Sequence, residues 1–374
     1  MKYGVLFLIL TLVVAGCIDP FNPSDANKDG KYLVINGFLN TGGDTSYISL
    51  SRTQGLSDKT VPTVVTGAVV RVVGDKGTTY TFTDKGSGNY FLAPRSFPVT
   101  ENFMLTVNVG GKGYASEYVP VKQTPDIDSV SWRMYQSEGK MNFVVNTHDA
   151  TGNTRFYRWK VEETYEFRSA YGSYILVKNG KIEPRAENLT TCWRTDLPGN
   201  IMIATSAKLT DDVIRNYPVV TILNASNKLL VKYSLLVRQY ALTQDAYEYW
   251  DQLAKTTETT GGIFDPQPSV LTGNFHSVNN KDELVFGYFS AVSEKKKRIT
   301  VTPADFKSWY PGSFPSCPSP PDTLEFMDIR SLIDDAGMII GTIDEPPPSR
   351  YLIVPPVCAD CRRMGGTLTK PSWF

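Results

Sequence analysis

From Tyr32 to Val121 apolar and polar residues alternate in short runs, each closed within a few residues by Gly, Asp, Asn or Pro. Alternation at a period of two sends one side of each run into a core and the other into water, as in half-buried strands. The runs predict strands at Tyr32–Phe38, Tyr47–Arg52, Ala68–Val73, Thr78–Thr83, Tyr90–Leu92, Phe103–Val109 and Ala115–Val119. Gly42-Gly43-Asp44, Gly74-Asp75-Lys76-Gly77 and Gly110-Gly111-Lys112-Gly113 supply turns between them, because glycine accepts the positive φ that tight turns demand. Short strands of this kind with no helical period between them describe a β-sandwich.

Val121-Lys122-Gln123-Thr124-Pro125 closes that stretch, and a second begins at Ile127-Asp128-Ser129-Val130. Strands are predicted at Met141–Thr147, Phe156–Phe167, Tyr171–Val177, Leu229–Leu242, Leu284–Ala291 and Arg298–Thr302. In the longest run Trp159, Val161, Glu163, Tyr165 and Phe167 share one face, and Lys160, Glu162, Thr164 and Glu166 the other. The first face is expected to pack and the second to be solvated, with Glu163 an exception that the pattern leaves unexplained. A helix is predicted from Thr243 as N-cap, with Ala246, Tyr249, Trp250 and Leu253 on one stripe and Thr260-Gly261-Gly262 ending it. Asp211–Tyr217 is a second short helix candidate, stopped by Pro218, while Tyr310–Pro321 and Pro346–Pro356 are too rich in proline for regular structure. The fold class expected is mainly β: an Ig-like or transthyretin-like sandwich over residues 31–124, then a larger β-rich domain over 125–374 with one or two helices.

Residues 1–16 have the form of a signal peptide: Lys2 is a positive n-region, and Val5 to Ala15 is an apolar run shorter than the ~20 residues of a membrane span. The run ends in Val14-Ala15-Gly16-Cys17, which looks like a bacterial lipobox. Cys17 is therefore expected to be acylated and to become the first mature residue, with residues 17–30 a tether rich in Pro, Asn and Asp. Ile18 after the cysteine gives no aspartate retention signal, so the expected location is the outer membrane, on the cell-surface side, with its bilayer as the first partner.

Composition narrows the chemistry. Lys plus Arg and Asp plus Glu are both 38, so the chain has no basic surplus for nucleic acid. Two histidines leave little for multi-histidine metal sites or for several histidine catalysts. The sequence holds no Gly-x-Ser-x-Gly elbow, HExxH, P-loop or Rossmann glycine pattern. The expectation is a non-catalytic protein with neither cofactor nor metal. An uncharacterised surface hydrolase using His148 or His276 is the contrary reading; a surface histidine is the ordinary role for both.

Four cysteines follow Cys17: Cys192, Cys317, Cys358 and Cys361. In an exported chain an even set forms disulfides, although Cys358-Ala359-Asp360-Cys361 also has the spacing of a zinc half-site or redox dithiol. The preceding Val354-Pro355-Pro356-Val357 suggests an extended approach rather than the helix start that a redox cysteine uses. Pairing each member of the CxxC with a different distant cysteine would staple the C-terminal tail to the domain. Asp128-Ser129-Val130 and Asp322-Thr323-Leu324 look like Asp-Ser/Thr-aliphatic O-glycosylation sites, making Ser129 and Thr323 candidate acceptors.

Two resemblances can be attached to these residues. Gly67-Ala68-Val69-Val70-Arg71-Val72, Tyr80-Thr81-Phe82-Thr83-Asp84 and Gly88-Asn89-Tyr90 resemble carboxypeptidase-regulatory or transthyretin-like modules, whose Asp–Gly–Tyr segment is a hairpin with a packed aromatic. Ala246-Tyr247-Glu248-Tyr249-Trp250, Gly261-Gly262-Ile263-Phe264-Asp265-Pro266, Gly273-Asn274-Phe275, Val285-Phe286-Gly287-Tyr288-Phe289 and the Cys358 to Cys361 tail occur in that order. The string resembles a Bacteroidota outer-membrane lipoprotein family catalogued only as a domain of unknown function. That resemblance implies a lipoprotein often encoded beside SusC-type TonB-dependent receptors, hence a substrate-capture or accessory partner of such a barrel. It carries no catalytic residue. The alternative is a stand-alone adhesin or glycan-binding lipoprotein with a glycan or peptide ligand.

Overall fold

The computed structural model describes residues 32–54, 61–178, 181–258, 271–306, 309, 317–325, 338–343 and 350–374. The signal segment 1–16, Cys17 and the tether 17–30 lie outside the described residues, as do Thr260-Gly261-Gly262 and residues 310–316 of the proline-rich stretch. The protein is mainly β.

Among the described residues, a continuous 12-stranded set of pairings wraps around the first core. Leu33–Asn40 pairs antiparallel with Ser46–Arg52, which pairs with Asn89–Leu92; Val69–Gly74 pairs with Asn102–Val109, which pairs with Lys112–Ser116. Alternate residues of these strands, Leu33, Ile35, Ile48, Leu50, Val70, Val72, Phe103 and Leu105, are buried in one sandwich core. The Asp–Gly–Tyr segment packs as a hairpin: Tyr90 is fully buried, its hydroxyl donates to the Val65 carbonyl at 2.9 Å and accepts from the Ala68 amide at 3.0 Å. Asp84 accepts the amides of Gly67 and Gly86 at 2.8 and 2.7 Å.

Far along the chain, residues 275–292 return to this first sheet. Phe275–Ser277 pairs with Lys112–Ser116, and Val285–Phe286 and Ala291–Val292 run parallel to Leu33–Asn40. The single predicted strand Leu284–Ala291 is thus two short pieces, interrupted at Gly287. Gly287 has φ +127°, and a Cβ there would stand 1.9 Å from the Ile35 carbonyl oxygen, so only glycine permits this approach. Asn274 completes the joint as a side-chain substitute for a strand: its Nδ2 donates to the Phe289 carbonyl at 3.0 Å and its Oδ1 accepts the Phe289 amide at 2.8 Å. Phe289 is buried in the first core, whereas Tyr288 points away from it.

The second region packs two sheets around a second core. One sheet orders Thr191–Asp196, Phe156–Arg168, Lys232–Ala241 and Glu294–Val301, with Met202–Thr205 also on the long central strand. The other orders Ile127–Tyr135, Lys140–His148 and Val213–Leu223. Trp159, Val161, Tyr165 and Phe167 fill the core as their alternation requires. Glu163 is buried with them and finds its account here: it accepts from Tyr233 Oη at 2.8 Å and Lys228 Nζ at 3.0 Å.

Three expectations need correction. The proposed helix at Asp211–Tyr217 is instead the start of the strand Val213–Leu223. Its ladder slips between Phe143 and Val144, at the level of Pro218, and Asn216 takes φ +51°; the missing proline donor falls where the ladder is irregular, and tertiary pairing overrides a weak local preference. Tyr171–Val177 is a strand only from Ile175 to Lys178. In Pro346–Pro356, which was expected to lack regular structure, Arg350–Val354 is a strand between Asp322–Glu325 and Met338–Thr342.

The predicted helix spans Gln244–Glu258. Thr243 Oγ1 accepts the Ala246 amide at 3.2 Å, as an N-cap does. Ala246 is buried, while Tyr249, Trp250 and Leu253 turn toward the space between the two β-modules.

Candidate functional site: a cationic, aromatic cleft

The outer face of the central strand Phe156–Arg168 is not solvated along its whole length. Its first half lies under the helix and beside Leu33–Asn40, so Arg158 and Lys160 are partly buried. This departs from the predicted solvated face, because neither the helix nor the first module is local to the strand. The walls enclose a cleft of about 640 Å³, with Tyr249, Trp250 and Leu253 on one side, Asn36, Phe286 and Tyr288 on another, and the loop 197–201 at its mouth. A shallower hollow of about 510 Å³ adjoins it along Asn36, Asp44 and Lys296.

Strand register assembles the charges. Lys160 stands opposite Arg238, which stands opposite Lys296; one step along, Arg158 stands opposite Tyr240, which stands opposite Glu294. On the other flank the row is Glu162, Leu236 and Arg298. Like charges directly opposite repel and need neighbours of the other sign. Arg238 has them: Glu294 at 3.3 Å and Glu162 at 3.6 Å. Lys296 pairs with Glu294 at 2.8 Å and with Asp44, and Arg298 with Glu162 at 3.4 Å.

Arg158 and Lys160 are left over. Among the described residues neither side chain makes a hydrogen bond or ion pair, and Arg158 Nε is buried without a partner. The Arg158 guanidinium instead lies over the Trp250 indole, 3.4 Å from the ring centroid. Burial pushes the Arg158 guanidinium down to about 10. Burial, reinforced by the Arg158 charge and opposed by Glu294, pushes the Lys160 amine down to about 8. Tyr240, hydrogen bonded to Glu294 at 2.6 Å, is raised by its own burial and by that carboxylate. Tyr249 and Tyr288 face each other with ring centroids 5.1 Å apart, and burial raises both phenols. Such a surface can stack a ring and offer cationic N–H donors.

The residues singled out from sequence are scattered. His148 is exposed on the three-stranded sheet, its Nδ1 within 2.8 Å of the Asp128 carboxylate, which raises the imidazole pKa. His276 is exposed on the first sheet, paired opposite Ala115. Ser129 is half-buried and accepts from Asn146 Nδ2 at 2.9 Å, while Thr323 is exposed on the strand Asp322–Glu325. Cys361 is bonded to Cys192 and Cys358 to Cys317, so each member of the CxxC joins a different distant cysteine. The approach to it is extended only as far as Pro355. Arg350–Val354 runs into a helical turn, Pro356–Ala359, that carries Cys358, because proline is well suited to the first turn of a helix. Asp360 receives a bidentate pair from Arg362 at 2.8 to 3.1 Å and fixes this corner. Among the described residues no cluster of three or more His, Cys, Asp or Glu could hold a metal.

A stripe such as the one through Tyr249 and Trp250 reads from sequence as a core-facing helix side, and the alternation of the long strand places Arg158 on its solvated face. The available signal was a basic pair, Arg158 and Lys160, at strand spacing within a well-packed run.

A family model described as Domain of unknown function (DUF4249) matches residues 18–298. No curated protein matches the chain.

Proposed function

The chain belongs to the DUF4249 family, whose description states no activity, and from that premise we propose that it is a non-catalytic, lipid-anchored lipoprotein of the outer membrane that captures a small ligand for a transporter. The observation that carries capture is the cleft between the β-modules, about 640 Å³ and walled by Tyr249, Trp250 and Tyr288. That volume falls within the ~300–1,000 Å³ usual for small-molecule sites. Anchoring is supported by the Val14-Ala15-Gly16-Cys17 lipobox, and delivery to a SusC-type TonB-dependent barrel by the family resemblance of the helix and Gly287 segments. A tethered binding module raises the local concentration of ligand beside its transporter without performing chemistry.

The test is affinity purification of the lipidated protein from gently solubilised native membranes, with mass spectrometry of what accompanies it. A stoichiometric TonB-dependent barrel is the expected result. A clean monomer in several mild detergents overturns the transporter partnership. Cys17→Ala is expected to move the protein out of the membrane fraction; its retention there would overturn the anchor.

A further inference from the structure

Around the cleft the β-ladder presents five cations, Arg158, Lys160, Arg238, Lys296 and Arg298, against two carboxylates of its own, Glu162 and Glu294, and a third, Asp44, from the turn before Ser46–Arg52. Every carboxylate is already engaged by Arg238, Lys296 or Arg298. The surplus falls on Arg158 and Lys160, the two cations set deepest beneath the helix. An unpaired charge withdrawn from water is unfavourable, and a buried donor without an acceptor adds to that. A fold that needed these positions only for packing would fill them with apolar side chains. Their arrangement instead suits a ligand that brings the missing charge.

We propose that the cleft binds a small organic anion, its carboxylate or phosphate group held by Arg158 and Lys160 and its apolar body lying against Tyr249 and Tyr288. The inference deepens the capture reading and rests on it. Trp250 covers one face of the Arg158 guanidinium, which leaves the in-plane N–H edge as the route for recognition. That edge matches the two oxygens of a carboxylate or phosphate, and a neighbouring ammonium adds a point charge with three rotatable donors. Neutral glycans of the same size would stack on the aromatic wall but leave both charges uncompensated in a low-dielectric recess.

The experiment is a thermal-shift and calorimetric titration of the mature, disulfide-intact protein. Its probes are a hexuronate, a hexose 6-phosphate, benzoate and a neutral methyl hexoside, with sodium chloride matching ionic strength. At least one anionic probe is expected to stabilise the protein above the chloride control and the neutral hexoside to do less. Lys160→Gln and Arg158→Gln are each expected to weaken that probe by about tenfold or more, the loss expected for a charge-assisted contact. Lys281→Gln, at an exposed position away from the cleft, should leave it unchanged. The hexuronate and the phosphate arms distinguish the two oxyanions. An anion effect that survives Lys160→Gln and Arg158→Gln overturns the inference. Stabilisation by the neutral hexoside alone, abolished by Tyr288→Ala but not by Lys160→Gln, overturns it and leaves capture standing. No response to any probe overturns both.

Discussion

Arg158 lies over Trp250 with its guanidinium carbon 3.4 Å from the indole centroid, joining the central strand of the second module to the helix Gln244–Glu258. The contact replaces the carboxylate that a partly buried arginine usually has. It also orients the side chain, since a guanidinium held flat on a ring keeps its N–H edges in one plane. The helix thereby sets the position of a charge that belongs to a strand.

Removing the ring should release that charge. Trp250→Leu is expected to destabilise the protein by about 1–2 kcal/mol, the worth of a desolvated cation–π contact, in urea unfolding. It should also weaken ligand binding in the cleft, because Arg158 loses its fixed plane.

Lys160 should leave a signature in the pH dependence of stability. Its amine is held at about 8, below the 10.5 of a free lysine. Between these values the unfolded chain binds more protons than the folded one, so this group makes stability rise with pH across that window. Below pH 8 the folded protein carries the full penalty of a charged, unpaired lysine. Lys160→Met is therefore expected to be more stable than wild type at neutral pH, with the difference shrinking from pH 8 and gone above pH 10.5. Urea unfolding of both proteins at matched pH measures this; a Lys160→Met protein less stable at pH 7 would contradict it.

Glu163 is expected to behave in the opposite way. It is 3% exposed and takes two hydrogen bonds, from Tyr233 and Lys228. Glu163→Ala leaves a buried hydroxyl and a cation without their acceptor and should cost about 3 kcal/mol. Asp196, 3.2 Å from Lys228, retains part of the cation's compensation, so the effect should sit at the low end of the range for broken buried pairs. Glu163→Gln, which keeps an acceptor for Tyr233, should lose roughly half as much.

The two disulfides differ in the length of chain they close. Cys192–Cys361 spans 169 residues and Cys317–Cys358 spans 41. Loop entropy predicts that replacing the first pair by serine destabilises by about 1 kcal/mol more than replacing the second, within losses of ~2–5 kcal/mol each. Loss of Cys192–Cys361 should also expose residues 362–374 to limited proteolysis, because beyond Cys361 that end of the chain is tied to the strand Thr191–Asp196 by the short 193–367 bridge.

His148 offers a local control. Its pKa is raised above 6.5 first by the hydrogen bond to Asp128 and then by the charge of that carboxylate. The pair stabilises the protein below pH 6.5, and that contribution is lost as pH rises through the folded pKa. Asp128→Asn should lower the imidazole titration seen by NMR, without changing ligand binding in the cleft.

What the sequence by itself determined was local. Period-two alternation located Leu33–Asn40, Asn102–Val109 and Phe156–Arg168 to within a residue or two, because one buried face per strand is enforced along the strand itself. The Thr243 cap and the stripe through Trp250 gave the helix for the same reason. A glycine inside an apolar β-run, as Gly287 is, marks a bulge or a close backbone approach, but does not say which backbone approaches. The helix expected at Asp211–Tyr217 failed because a seven-residue window has less to say than the strand Lys140–His148 beside it.

Tertiary structure decided the cleft. Arg158, Arg238 and Lys296 are far apart in sequence, and only the antiparallel register of three strands puts Lys160 opposite Arg238 and Arg238 opposite Lys296. Likewise, residues 275–292 follow the helix in the chain yet pair with the first module's sheet, which brings Tyr288 to Tyr249. Periodicity says which residues share a face; it does not say what covers that face. Which neighbours meet it is set by long-range pairing, and that pairing leaves two cations without carboxylates.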